Sequence, residues 1–203
     1  GSDKFIHLDQ KAFFGIIQGK SGDIFIGGIG GFWKISKKHS VFTFISNDTL
    51  LGKVNTLLED SEGMLWAGSE KGLTGFNPVT QEFVNYSSDK GHPIRTVFGL
   101  LEDDSKNIWT STNFGLVKIK NIIEDINNIK FRVFDQSDGL QSKQFNYNAY
   151  YKCSSGEMAF GGINGFNTFF PDKIRDNPIA PDVVITDLKI FNKSVPIGEK
   201  VNG

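Results

Sequence analysis

The stretch EDSEGMLWAGSEKGLTGFNP, residues 59–78, decides the fold because the chain repeats its pattern. The two residues by which the pattern is most easily recognised are Trp66 and Gly72. A later stretch, EDDSKNIWTSTNFGLVKIK, places Trp109 and Gly115 at the same two positions after the same acidic start. A side chain that binds a single ligand has no need to recur in this way. The pattern therefore indicates architecture rather than a binding site.

Two more copies of the pattern diverge at the tryptophan position. GKSGDIFIGGIGGFWKI has Phe25 there, and SSGEMAFGGINGFNTFFP has Ala159. Successive copies are spaced by 41, 43 and 50 residues, which is the range of a four-stranded propeller blade. The sequence therefore predicts an all-β chain. Residues 1–170 would form four four-stranded antiparallel β-propeller blades, either as a whole propeller or as part of a larger one.

Each copy begins with an inner strand and ends with a fourth strand whose pattern is Phe-x-x-hydrophobic. The inner strands are predicted at Phe13–Gln18, Val54–Glu59, Thr96–Leu101 and Phe145–Lys152. Phe5–Leu8 has the fourth-strand pattern with no first three strands before it, and the last copy has only three strands. Two arrangements stay open at this point. Either Phe5–Leu8 completes the last blade and closes a ring, or it belongs to a further blade.

The segment after the last copy is predicted to leave the propeller. Residues 171–182 contain Pro171, Pro178 and Pro181, and a proline keeps the residue before it extended. We therefore expect an extended linker there. Val183–Phe191 alternates so that one face is more apolar than the other, which predicts a C-terminal extended β-strand.

Composition argues against several classes of function. The 203 residues include 22 Lys and Arg against 23 Asp and Glu, so no electrostatic argument supports binding of nucleic acid or of an anionic membrane. No apolar run is long enough to span a bilayer. The histidines are scattered without metal spacing, and Cys153 is the single cysteine. Neither a metal, a cofactor nor an intramolecular disulfide is predicted.

The recurring residues have structural explanations. Trp66 and Trp109 recur at one strand position and are predicted to pack in the core. Asp60 and Asp103 precede them in acidic turns, where an aspartate can bond its own backbone. Gly72 and Gly115 are predicted in the short loops between the second and third strands.

Function is expected in loops that vary from copy to copy. In a propeller, the loops that enter the inner strands and the loops that join second to third strands converge on one face around the central channel. Amide side chains suit sugar hydroxyls, and Arg or Lys suits an acidic sugar. The candidate ligand-binding residues on this face are Lys53, Asn55, Lys71, His92, Arg95, Asn113, Gln144, Asn146 and Tyr147.

The phrase E-D-x-x-G-x-L-W-x-G-[ST]-x-x-G-L, with the GLQS at residues 139–142 as the "GL-x-S" that precedes a copy, resembles the two-component regulator propeller repeat. That repeat builds the sensor region of the hybrid two-component systems by which Bacteroides-type gut bacteria detect polysaccharide breakdown products. The closing segment FFPDKIRDNPIAPDVVITDLKIFNKSVPIG is similar to the exit from the last blade of such sensors into an immunoglobulin-like domain. The resemblance covers residues 5 to about 198. It is looser in the first and last copies, where Phe25 and Ala159 replace Trp.

The resemblance implies a periplasmic ligand-sensing fragment without catalytic machinery of its own. Residues 183–203 would be the truncated start of the immunoglobulin-like domain, and a membrane helix, a kinase and DNA-binding segments would follow downstream. The implied ligand is an oligosaccharide. The implied signal is a conformational change that passes across the membrane.

Two other functions stay open from the sequence. A carbohydrate-active propeller enzyme, sialidase-like or lyase-like, needs a pair of carboxylates, or a Tyr nucleophile with an Arg cluster. The predicted loops offer only Glu70 as an acid and only Arg95 as an arginine. A propeller that serves purely as an interaction scaffold is the other alternative. Unpaired sheet edges at both ends favour self-association, so a homodimer is expected.

Overall fold

The computed structural model describes residues 12–36, 41–120, 122 and 128–175, together with 189–190 and 193–194. The chain divides into two compact units, Gly1–Lys173 and Ile174–Gly203. The predicted strand at Phe5–Leu8 and most of the predicted strand Val183–Phe191 lie outside the described residues.

The first unit consists of antiparallel sheets in which each strand pairs with its sequence neighbours. We number these sheets as blades 1 to 4. Blade 1 contains β1 (Gly15–Gln18), β2 (Ile24–Gly27), β3 (Gly31–Ile35) and β4 (Phe42–Ser46). Blade 2 contains β5 (Val54–Glu59), β6 (Leu65–Ser69), β7 (Gly72–Phe76) and β8 (Phe83–Tyr86).

Blades 3 and 4 repeat this order. Blade 3 contains β9 (Val97–Glu102), β10 (Ile108–Thr112), β11 (Gly115–Lys120) and β12 (Lys130–Phe134). The described part of blade 4 contains three strands, β13 (Phe145–Lys152), β14 (Met158–Gly162) and β15 (Gly165–Phe169). The all-β prediction and the blade pattern are confirmed, including the three strands of the last copy.

Neighbouring blades stack face to face through buried apolar side chains. Trp66 and Tyr86 of blade 2 form one cluster with Ile94, Ile108 and Ile119, which belong to blade 3 or the loop before it. Trp66 is 1% exposed and Trp109 is 0% exposed. Both tryptophans are therefore core residues at equivalent positions, as the repeat predicts. Burial of such large side chains stabilises the stack by roughly 25 cal/mol per Å² of apolar surface.

The aspartate before each tryptophan joins the turn to the core. In blade 2, one carboxylate oxygen of Asp60 accepts the backbone N–H groups of Glu62 and Met64, each at 3.0 Å. The other oxygen accepts the indole N–H of Trp66 at 2.7 Å. In blade 3, Asp103 accepts the indole N–H of Trp109 at 2.8 Å. The acidic turn therefore gives a fully buried indole nitrogen its hydrogen-bond partner.

Two glycines of the repeat are required by the backbone. Gly72 has a φ of 102° and Gly115 a φ of 124°, values that side-chain-bearing residues rarely adopt. A Cβ at either position would also collide with the carbonyl oxygen of the adjacent fourth strand, that of Tyr86 or of Phe134. These glycines let the second and third strands join while the fourth strand lies close.

The inner strands of the blades meet through polar side chains. The Thr56 hydroxyl and the Tyr150 hydroxyl lie 2.7 Å apart and link blade 2 to blade 4. The Asn148 amide of blade 4 donates to the Phe14 carbonyl at 2.9 Å, so the first and last blades touch beside their inner strands. Each of these two blades also has large apolar side chains that no other described blade covers. Ile16 on β1 is 67% exposed, and Phe166 on β15 is 72% exposed.

The end of the propeller differs in part from the predicted linker. Pro171–Lys173 forms a short 3-10 helix, so the expectation of extended chain is wrong for these three residues. A helical turn fits here because proline has its φ preset near −65° and needs no N–H partner at the first position. In the second unit, β16 (Lys189–Ile190) pairs antiparallel with β17 (Lys193–Ser194). Lys189–Ile190 is the described end of the predicted strand.

Candidate functional site

The strand order brings two sets of loops to one end of the stack, which we call the loop face. One set joins each fourth strand to the next inner strand, over residues 47–53, 87–96 and 135–144. The other joins second to third strands. Hydrogen bonds connect the two sets: the Lys53 backbone N–H donates to the Glu70 carboxylate at 3.2 Å, and the Lys71 ammonium donates to the Asp48 carbonyl.

A polar pocket of about 320 Å³ opens on the loop face between blades 2 and 3. We call it the inter-blade pocket. Three predicted site residues line it, namely Lys71, Arg95 and Asn113. Each comes from a different loop, because Lys71 follows β6, Arg95 precedes β9, and Asn113 follows β10. The packing of two blades therefore brings together residues that lie far apart in the sequence.

The inter-blade pocket carries both signs of charge and an unmet acceptor. Lys71 and Arg95 supply exposed cations, and Glu70 and Asp89 supply exposed carboxylates. The side-chain oxygen of Asn113 is buried and has no hydrogen-bond partner among the described residues. Buried polar atoms in proteins are almost always bonded, so a rotation of the Asn113 side chain that turns this oxygen toward the pocket would let it accept an O–H or N–H group of a ligand.

A second, more apolar pocket of about 280 Å³ adjoins the first and shares Ser88 and Arg95 with it. Its wall includes Phe114, which is 53% exposed. The Arg95 guanidinium lies 5.4 Å from the centre of the Phe114 ring. The two pockets form one cleft with a polar half and an aromatic half.

His92 lines the apolar half of the cleft, although its ring is held by aromatic packing. It lies 5.3 Å from the Tyr86 ring and 5.1 Å from the Phe131 ring, measured between centroids. Burial raises the pKa of Tyr86 to about 12, because a buried phenolate would lose its hydration. His92 therefore stands on a wall of packed, uncharged aromatic rings.

Two of the other predicted residues meet at a separate place on the loop face. The Lys53 ammonium lies 4.2 Å from the centre of the Phe14 ring and 5.0 Å from that of Tyr147. Tyr147 in turn packs edge-on against Phe98, at 4.6 Å between centroids. Lys53 and Tyr147 thus take part in a cation–π cluster between blades rather than in the cleft.

Asn55 has a structural role instead of an exposed one. It is 1% exposed, and its amide donates to the Val97 carbonyl at 3.0 Å, which ties blade 2 to blade 3. We therefore leave Asn55 out of the candidate site. Asn146 is exposed outside the cleft, and the Gln144 carbonyl accepts the Gln141 side-chain amide at 3.2 Å.

Sequence reasoning did not single out several residues of the cleft, among them Asp89, Phe114 and Ser87. Ser88–Lys90 forms a 3-10 helix that ends at Gly91 with a φ of 81°. This turn folds the loop back, so that its beginning lies beside its end. A Ser-Asp-Lys-Gly sequence between two strands is a signal that could have indicated such a turn.

No group of three or more metal-binding side chains occurs among the described residues. In the same part of the chain, no helix has the length and apolar character needed to cross a membrane.

Known proteins resemble the chain in sequence over half of it and in fold over almost all of it. It is 40% identical over 108 residues to a protein named histidine kinase P4 from Formosa agariphila, a match that covers 53% of this chain and 8% of that protein. The extracellular domain of a hybrid two-component system of B. thetaiotaomicron superposes with a TM-score of 0.74 at 24% identity, over 98% of this chain and 29% of that one. No known protein-family model matches.

Enzymes also share the fold. Virginiamycin B lyase from Staphylococcus aureus superposes with a TM-score of 0.55 at 14% identity, over 79% of this chain and 56% of the lyase. The comparisons confirm the propeller-like fold and the resemblance to two-component sensors that the repeat predicts. The chain spans only a small part of the histidine kinase and less than a third of the extracellular domain.

Proposed function

We propose that this chain belongs to the extracytoplasmic sensor region of a hybrid two-component histidine kinase, and that its cleft binds an oligosaccharide. The sequence match to a histidine kinase and the shared fold with an extracellular sensor domain support the first part. A periplasmic location follows from this assignment, because such a region senses ligands outside the cytoplasm. The second part depends on the cleft.

The observation that carries the ligand proposal is the meeting of Lys71, Arg95 and Asn113 in one pocket beside the exposed Phe114 ring. Sugars present many hydroxyl groups, which need both donors and acceptors. They also present apolar C–H faces, which pack on aromatic rings. A cleft with a polar half and an aromatic half matches both requirements, and its combined size suits a short oligosaccharide.

Because the inter-blade pocket is lined by both blades, a bound ligand contacts blades 2 and 3 at once. A ligand shifts a conformational equilibrium only by its different affinity for the two states. The sensor would therefore signal if saccharide binding favours one relative arrangement of these blades. That arrangement would be transmitted to the segments that follow the propeller.

We further propose that the chain forms a homodimer. Phe166 on β15 is 72% exposed, and no described strand pairs with the outer edge of β15. Exposed apolar strand edges recruit partners. Multi-angle light scattering distinguishes a monomer from a dimer directly, and we expect the molar mass of a dimer. A monomer at all concentrations would contradict this part of the proposal.

A saccharide screen followed by calorimetric titration tests the ligand proposal. We expect Arg95→Ala and Asn113→Ala each to weaken binding at least tenfold, because a buried or charged partner of a ligand group is lost. Lys143→Ala is the matched control, since Lys143 is an exposed loop residue outside the cleft, and its affinity should stay within about twofold of the parent chain. Equal affinities for all four proteins would contradict the site.

A carbohydrate-active enzyme is the second candidate, because the structure adds Asp89 to Glu70 in the inter-blade pocket. Two carboxylates are the minimum for most glycoside hydrolysis, and a lyase shares the fold. Chromatography of the titrated saccharide distinguishes the candidates. Cleavage that Glu70→Gln abolishes would establish the enzyme, whereas an intact saccharide after prolonged incubation supports the sensor.

A further inference from the structure

Blade 1 lacks both members of the aspartate–tryptophan pair that blades 2 and 3 share. The turn itself is the same: the backbone N–H of Gly19 donates to the Asp23 carbonyl at 2.8 Å, as that of Asp60 donates to the Met64 carbonyl at 3.0 Å. Gly19 therefore occupies the position of Asp60, and Phe25, six residues later, occupies that of Trp66. Blade 1 therefore has the smaller phenyl ring of Phe25 in place of an indole, and at Gly19 it has no side chain in place of the aspartate that accepts the indole N–H.

A cavity of about 310 Å³ lies beside Phe25, between blades 1 and 2 at the end opposite the loop face. Phe25, Ile45, Leu65 and Phe76 line it.

The strand registers make Ile45, Leu65 and Phe76 the counterparts of three residues that form one cluster with Trp66 between blades 2 and 3. These counterparts are Tyr86, Ile108 and Ile119. Phe25 packs against Leu65 and Phe76 in the equivalent cluster, and the cavity lies beside its ring, on the side that the larger indole of Trp66 covers in the next repeat.

The missing acceptor is supplied by the neighbouring blade. A Cβ atom on Gly19 would lie 2.5 Å from a carboxylate oxygen of Glu59 and 2.8 Å from the Phe25 ring, so the carboxylate and the edge of that ring occupy the space of the absent aspartate side chain. Glu59 lines the cavity, and its oxygen accepts the Lys20 backbone N–H at 2.7 Å. A carboxylate has about four acceptor sites, so it has capacity for a further N–H donor.

The rim of the cavity is charged and ordered. The Lys34 ammonium lies 3.0 Å from the Asp23 carboxylate and 5.8 Å from the centre of the Phe25 ring. An apolar floor, a half-buried carboxylate acceptor and an ion pair at the mouth favour a flat apolar ring with one polar edge over a fully hydroxylated sugar.

We propose that the cavity between blades 1 and 2 is a second ligand site, separate from the saccharide cleft, that takes a small planar heteroaromatic ring with an N–H donor. The ring lies beside Phe25, against the apolar side chains of Ile45, Leu65 and Phe76. Its N–H donates to Glu59. A ligand in this place completes the packing of blade 1 on blade 2.

Indole is the probe, and benzofuran, which has the same shape and no N–H, is the matched control. Titration of the ¹⁵N-labelled chain should give saturable shifts confined to residues around Phe25, Leu65 and Phe76. We expect a dissociation constant on the order of 1 mM, which suits a ligand of indole's size. Benzofuran should bind roughly tenfold more weakly, because it makes no hydrogen bond to the carboxylate.

Two variants locate the site. Phe25→Trp refills the cavity with the residue that blades 2 and 3 use, and Thr43→Trp blocks the mouth from β4, whose Thr43 is exposed. Both should abolish the indole shifts, while Ile163→Trp, on an exposed loop of blade 4, should leave them unchanged. Should Phe25→Trp fail to fold, Thr43→Trp still decides. Indole shifts that persist in a folded cavity variant, or no saturable shift up to the solubility limit of indole, would overturn the proposal.

Discussion

Asp60 is the residue whose removal should show most clearly that the acidic turn is part of the core. It is 0% exposed and accepts three hydrogen bonds, two from backbone amides and one from Trp66. Asp60→Ala leaves the indole N–H without a partner in the core, at a cost of about 1–3 kcal/mol. The two backbone amides lose about 0.5–1.5 kcal/mol each, less where water reaches them. A total near 3 kcal/mol is a large part of the roughly 5–15 kcal/mol that stabilises a domain.

Urea unfolding measures this change in stability. With a denaturant slope of about 2–3 kcal/mol per molar, the midpoint should fall by roughly 1–1.5 M. The double variant with Trp66→Phe supplies the decisive comparison, because phenylalanine has no N–H to leave unpaired. The Asp60→Ala cost should then shrink by about 1–2 kcal/mol in the double-mutant cycle. Blade 1 already contains the corresponding Gly19–Phe25 combination in a folded turn.

A cost of Asp60→Ala below about 0.5 kcal/mol would refute this reasoning, as would strict additivity with Trp66→Phe. In the first case the turn would be held by its backbone alone. In the second, the hydrogen bond between the carboxylate and the indole would contribute nothing beyond packing.

Two further predictions concern the repeat and its core. Gly115→Ala should lower the free energy of unfolding by at least 2 kcal/mol more than Gly139→Ala in the same urea assay. Both glycines have positive φ, but of the two only Gly115 has a carbonyl oxygen, that of Phe134, in the path of a Cβ. Equal costs would contradict the steric argument. Burial raises the pKa of Tyr86 to about 12, whereas the pKa in the unfolded chain is near 10. The neutral side chain therefore contributes its full share to the free energy of unfolding below pH 10. About 2 kcal/mol of this stability is lost as the pH rises toward 12. Tyr86→Phe should remove this part of the alkaline destabilisation, and an unchanged pH profile would contradict it.

The strands could be predicted from the sequence because one pattern recurs with its tryptophan and glycine in phase. Val54–Glu59 and Phe145–Lys152 have the predicted bounds, and the first inner strand begins at Gly15, two residues later than predicted. Such agreement reflects strong local constraints. A buried indole, a turn aspartate and a glycine with positive φ leave little freedom for the segments between them.

The candidate site could be predicted only in part, because its geometry depends on how loops fold back. Lys71, Arg95 and Asn113 lie on the expected face and meet in one pocket. Asn55 faces inward because a register irregularity between Val54 and Thr56 leaves it out of the regular pairing of β5 with β6. A bulge of this kind re-aims a side chain without leaving a clear mark in the sequence.

The residue replacements beside the cavity of blade 1 are visible in the sequence as departures from the repeat. Phe25 stands where two other copies have tryptophan, and Gly19 where they have aspartate. A local departure from a consistent pattern is expected at functional positions. Sequence alone could not show that Glu59 of the next blade occupies the vacated space, because this contact depends on how two blades stack.

Residue-resolved NMR of the ¹⁵N-labelled chain during titration with a saccharide identified by the screen tests the central claim most directly. We predict saturable shifts at Lys71, Arg95, Asn113 and Phe114, with the indole N–H signals of Trp66 and Trp109 unmoved, because these indoles are buried in the core and bonded to aspartates. Saccharide shifts centred on the tryptophan turns, with the loops between blades 2 and 3 unaffected, would contradict the account. The repeated phrase would then be the binding site and the loops mere connections.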